Sequence, residues 1–178
     1  MYNRLPAFLM PADARRYEGD IRPSERAMII RRSNRGMEAA DLSWGYPSKN
    51  SGGLVINARA ETLHEKAMFC DDVMNRRCLI PASGFYEWDK EKQKATVRVP
   101  EEELIYFAGI YSIRSGTERF VIITRESAGE MIRIHERMPL IIPGKSVEEW
   151  LSEDYQDVLK AEAPPMEVKI ENEQMSFL

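Results

Sequence analysis

The chain has 178 residues, 43% of them hydrophobic and 30% charged, with a formal net charge of −4 and a pI near 5.4. That balance predicts a single globular domain over 1–178 with a real core. It excludes bulk electrostatic coating of nucleic acid, although a local arginine patch on an acidic protein still binds phosphate. Cys70 and Cys78 are too few for a disulfide scaffold and too far apart for a CxxC pair. No apolar run approaches membrane-spanning length, so a cytoplasmic monomer with no membrane partner is expected.

In chain order, Met1 to Arg35 is rich in arginine and proline, and Gly19-Asp20-Ile21-Arg22-Pro23-Ser24 reads as a turn leading to extended backbone. Ala27 to Arg31 is a strand candidate, and Asn34-Arg35-Gly36 turns the chain into Met37 to Trp44, able to pair back on it. Gly52-Gly53 leads into Leu54-Val55-Ile56, which delivers Asn57 to a strand end. Glu61 to Arg76 has helical content, whereas Cys78-Leu79-Ile80 and Phe85-Tyr86-Glu87-Trp88 alternate as strands do. Three more strands are predicted over Thr96 to Val99, Leu104 to Ile113 and Phe120 to Thr124. Capping-box spacing at Ser127 and Glu130, and again at Ser146 and Glu149, predicts a short helix towards Ile134 and a longer one over Val147 to Lys160. Pro164-Pro165 ends the second, leaving 161–178 as a tail or an edge strand. The pattern is α+β: a mixed, mainly antiparallel, partly closed sheet with short flanking helices.

Three stretches place polar residues inside apolar strands or at helix ends, where burial demands compensation. They are Asn57-Ala58-Arg59-Ala60-Glu61, Arg76 through Trp88, and Ile134-His135-Glu136-Arg137-Met138-Pro139. Each residue has an ordinary reading. Glu87 fits the solvent side of an alternating strand, His135 a helix C-cap and Asn57 a turn former. Arg59 and Arg137 fit surface arginines or partners of Glu61 and Glu136, Trp44 fits core packing, and Cys78 a small buried hydrophobe. A thiol pair of Cys78 with His135 requires an exposed, acidic thiol. His64 and Cys70 lack companions at metal-ligand spacing, so no metal is expected.

The order and spacing of NARAET at Asn57, RRCLIPASGFYEW at Arg76 and IHERMP at Ile134, with Trp44-Gly45 ahead of them, resemble the SRAP family, the SOS response-associated peptidases, over roughly 19–151. The resemblance implies a compact α+β fold and, as partner, single-stranded DNA carrying an abasic site. It implies no cofactor. In that family a cysteine exposed by removal of the initiator methionine closes a thiazolidine on the opened sugar. By carry-over, Glu87 moves protons, Asn57 orients the nucleophile or sugar, and His135 assists ring opening. Arg59 and Arg137 grip flanking phosphates, Trp44 stacks on a base, and Lys66, Arg77 and Arg4 contact the DNA backbone. The family opens Met-Cys-Gly-Arg, whereas this chain opens Met1-Tyr2-Asn3-Arg4. Tyr2 has no thiol, and neither Cys70 nor Cys78 pairs one with a terminal amine. Two readings stay open: a start placed too late, or a paralogue that binds without crosslinking.

Overall fold

The computed structural model describes residues 19–48, 52–114 and 116–171. Strands β1 (Arg26–Ser33) and β2 (Gly36–Trp44) form a hairpin, with Ser33 opposite Gly36 and Arg26 opposite Ser43. The short β3 (Tyr46–Pro47) and β4 (Leu54–Val55) pair with each other ahead of β5 (Asn57–Arg59). After helix α1 (Cys70–Asn75) come β6 (Arg77–Ala82), β7 (Phe85–Trp88), β8 (Lys94–Arg98), β9 (Ile105–Arg114) and β10 (Thr117–Glu126). Then follow β11 (Arg137–Pro139), β12 (Ile141–Ile142), helix α2 (Val147–Trp150) and β13 (Glu167–Ile170).

The main sheet runs β2-β1-β6-β9-β10, and β10 returns to β2, closing five strands into a partial barrel. The closing contact is short and parallel, Arg119 opposite Ser43 and Phe120 opposite Trp44. Beyond it the same edge of β10 takes β5, also parallel, with Ile122, Ile123 and Thr124 opposite Asn57, Ala58 and Arg59. The other edge pairs with β9 and then with β11. Strand β10 is thus where two of the three sequence motifs converge. Strands β7, β8 and β13 form a separate three-stranded sheet.

Alternation of apolar residues builds two cores, one on each face of the barrel strands. Met28, Ile30, Leu79, Ile110, Val121 and Ile123 face one way, towards Phe69, Val73, Trp150 and Tyr155. Ala27, Ile29, Cys78, Ile80, Phe107 and Phe120 face the other, in one cluster with Ala95 and Val97 of β8 and with Met131 and Ile134. Gly109 lets that second layer close up, because a Cβ there would run into the Ile80 side chain.

Arg77 ties the back of the barrel together. Its guanidinium donates to the carbonyls of Val73 (2.5 Å), Met74 (2.7 Å), Trp150 (2.9 Å) and Ser152 (2.7 Å). Val73, Met74 and Trp150 lie in the last turns of α1 and α2 and Ser152 just beyond α2, where helices leave acceptors unpaired, so one side chain caps both ends. This corrects the sequence reading: Arg77 is buried and serves the fold, not a DNA backbone.

The helices are shorter than their composition suggests. Within 61–76 the chain makes a 3-10 turn (Ala60–Thr62), further turns, and only then α1. Ser127 and Ser146 make no side-chain cap; Ala128 and Ser146 precede 3-10 and α turns without a capping hydrogen bond. The stretch after Trp150 proceeds through turns to a 3-10 segment, Val158–Lys160. No helix among the described residues is long and apolar enough to cross a membrane.

Candidate nucleic-acid interface

Strand β5 spans three residues with a polar side chain at each end. Ala58 is buried against the barrel, while Asn57 and Arg59, two apart, lie exposed on the same side. Trp44 fixes the approach to this strand: its Nε1 donates to the Ile56 carbonyl at 2.9 Å, and its ring stacks on Phe120 at 6.2 Å and 12°. Trp44 is half-buried, so it packs and still keeps part of its surface in reach of solvent.

His135 arrives from a different element. The segment Gly129–Arg133 forms a 3-10 turn anchored by buried Met131, and the Met131 carbonyl accepts from Ile134 N–H (2.9 Å) and His135 N–H (3.0 Å). Ser127 N–H donates to the Glu136 carbonyl at 3.0 Å and closes the loop. The exposed imidazole has its Nδ1 3.1 Å from the Arg137 N–H and 3.0 Å from the Arg137 carbonyl. The neutral ring accepts from the former and the protonated ring donates to the latter, so either charge state keeps the ring in place.

Glu87 lies in β7, alternating with exposed Tyr86 and Trp88. Gly84 makes the tight entry to that strand, since a Cβ there would press on the Val97 carbonyl. Burial pushes the Glu87 carboxyl above the usual glutamate range, while the neighbouring His135 charge and a Trp88 backbone N–H pull it partly back. A half-buried acid in the field of an imidazole is a combination suited to proton transfer near neutrality.

Arg59 and Arg137 line one groove of about 530 Å³ with Glu126, Ser127, Ile132 and Glu136. Their situations differ. Arg137 grips Glu61 with two hydrogen bonds, 2.9 and 2.7 Å, and donates to the Thr124 carbonyl at 2.9 Å. That contact holds the Glu61 carboxyl below its usual range and joins the segment after β5 to β11. Arg59 is exposed. Lys66 is exposed in the turns before α1, where its carbonyl caps the Phe69 and Cys70 N–H groups. Arg4 lies outside the described residues.

Cys78 is fully buried, and burial pushes its thiol well up from the ordinary range. It is a core residue, as the bland reading has it, and the thiol pairing with His135 is overturned. No three metal-ligating side chains converge among the described residues. The groove residues Ile132, Glu126 and Ser127 escaped sequence reasoning. Ile132, next to Arg133, is an apolar residue that the structure leaves two-thirds exposed.

The model of the SOS response associated peptidase (SRAP) family matches residues 4–177. The chain belongs to this family. The abasic site processing protein YoqW of Bacillus subtilis is 33% identical over 147 residues, 75% of this chain and 66% of that protein. The abasic site processing protein HMCES of Xenopus tropicalis is 28% identical over 201 residues, 96% of this chain and 58% of that protein. The chain thus spans about two thirds or less of the length of these relatives. A solved protein from Bacteroides thetaiotaomicron superimposes with a TM-score of 0.72 at 25% identity, over 84% of this chain and 75% of that one. As a SRAP chain, the protein has the expected architecture, a mixed sheet with a partly closed barrel and few short helices.

Proposed function

We propose that this protein binds abasic sites in single-stranded DNA and keeps the proton-transfer machinery that acts on the opened sugar. The observation that carries the reading is Glu87, whose carboxyl is pushed up by burial beside His135. The abasic-site names of its relatives point the same way.

Arg59 takes a backbone phosphate as a planar donor. Arg137, committed to Glu61, meets a phosphate only by sharing or exchanging that partner. Asn57, beside Arg59 on β5, holds the sugar oxygen, and the exposed part of Trp44 offers a surface to an unpaired base.

The ring-opened sugar presents an aldehyde. A terminal α-amine adds to it to give a carbinolamine, which loses water to an iminium ion. A thiol on the same residue then adds to the iminium carbon and closes a thiazolidine. Protonated Glu87 gives a proton to the departing water, and His135 stabilises charge as the ring opens. Tyr2 supplies no thiol. A terminus without a thiol stops at the reversible iminium stage, and thiazolidine capture needs a terminal cysteine.

The test gives the chain a Met-Cys-Gly-Arg start through Tyr2→Cys and Asn3→Gly, and incubates it with a single-stranded oligonucleotide bearing one abasic site. On a denaturing gel with intact-mass analysis, this variant forms an adduct and the Tyr2 chain does not. Adding Glu87→Gln slows adduct formation by roughly 100-fold or more. Normal adduct yield in both Glu87→Gln and Asn57→Asp would sink the assignment.

A further inference from the structure

A second groove of about 520 Å³ lies next to the first and shares Glu126 with it. Between them stands the Arg137–Glu61 pair, Arg137 lining the first groove and Glu61 the second. The rest of the second lining includes His64, Arg125, Gln156, Leu159 and Lys160.

His64 is the feature the abasic-site chemistry leaves unused. Its Nε2 is 2.9 Å from the Tyr155 hydroxyl, and its ring stacks with Tyr155 at 6.0 Å and 17°. Tyr155 is itself buried, packed edge-on against Trp150 and covered by the Arg77 guanidinium at 4.0 Å. The imidazole is therefore the outermost, exposed layer of a stack that reaches back to the core arginine. Its orientation is fixed before any ligand arrives, so little further ordering is lost on binding.

The charges of the lining offset one another. Glu61 is paired with Arg137, the Glu126 carboxylate stands with Arg125 and Lys160, Arg125 donates to the Ala161 carbonyl, and Lys160 lies 3.6 Å from Asp157. A neutral, flat ring with polar edges suits a rigid aromatic face, an apolar Leu159 and the Gln156 amide. We propose that this groove is a nucleobase subsite, in which an unstacked base of the bound strand, close to the lesion, lies on His64. The inference rests on the proposed binding of an abasic strand at Arg59 and Arg137, which line the adjoining groove. Stacking of this kind is tolerant of base identity, so the subsite adds affinity without dictating sequence.

The test uses the full chain and a single-stranded oligonucleotide carrying a tetrahydrofuran abasic analogue with fluorescent 2-aminopurine beside it, on either side in turn. Binding quenches 2-aminopurine on one side of the lesion. His64→Ala abolishes that quenching and weakens affinity about tenfold, while His64→Phe restores both. Should His64→Ala lower the melting temperature, Gln156→Ala, elsewhere in the same lining, gives the corresponding loss of quenching.

Unchanged quenching or unchanged affinity in His64→Ala, or a His64→Phe chain that behaves like His64→Ala, overturns the inference while leaving the first groove intact. A wild-type chain with no preference for the lesion oligonucleotide overturns both.

Discussion

Arg77, behind the barrel, gives its donors to four backbone carbonyls, whereas Glu87, in the three-stranded sheet, is half-buried with its carboxyl pushed above its usual range. Both are polar groups taken partly out of water. One has its donors met by four carbonyls and fixes two helix ends, although burial among neutral groups still lowers its pKa. The other keeps an unrelieved desolvation cost, offset only in part by His135. The contrast teaches where this fold stabilises itself and where it holds a group ready for proton transfer: Arg77→Ala should cost stability, and Glu87→Gln should not.

The sharpest way to break the comparison is Arg77→Ala. It leaves four carbonyls without their donor and opens the packing on Tyr155, so a loss of about 3 kcal/mol or more is expected. A denaturant melt would show it, and a change within 0.5 kcal/mol would contradict the capping role. Next is Gly84→Ala, whose added methyl meets the Val97 backbone. A cost of about 1–3 kcal/mol is expected, together with reduced adduct yield in the cysteine-start chain, because β7 carries Glu87.

Trp44→Phe keeps the stack on Phe120 and removes the hydrogen bond to Ile56. A loss of about 1 kcal/mol follows, measurable by thermal unfolding. The smallest effect has the opposite sign. Because the folded state holds the Glu87 proton more tightly than the unfolded chain, wild-type stability falls as pH rises from the usual glutamate range through the raised folded value. Glu87→Gln removes that fall, so the variant is the more stable protein at neutral pH, and the difference vanishes in acid. Equal melting curves at neutral pH would show that Glu87 carries no such cost.

The β1–β2 hairpin and strands β6, β9 and β10 were legible in the sequence because their apolar residues alternate or run continuously and Gly36 marks the hairpin turn. The family motifs were legible too. What failed was helix length: 61–76 and 147–160 have helical composition, yet tertiary packing of Leu63, Phe69, Trp150 and Tyr155 directs the backbone into turns. Composition says nothing of that packing. Arg77 misled for a related reason, since a motif arginine looks the same whether it faces phosphate or two helix ends. The Glu61–Arg137 pair was visible only as one of two ordinary alternatives, and the parallel seating of β5 on β10, which brings Arg59 to the groove, depends on contacts far apart in the chain.

The most direct test of the central claim is an anisotropy titration of the wild-type chain, as it stands with Tyr2, against a labelled single strand carrying one abasic site and against the same strand undamaged. Both are repeated with Arg59→Ala at two salt concentrations. The account predicts tighter binding to the abasic strand, weakening with salt, and a loss of affinity in Arg59→Ala with a shallower salt dependence. Equal affinity for damaged and undamaged strands, or an Arg59→Ala chain that binds like the wild type, would contradict it.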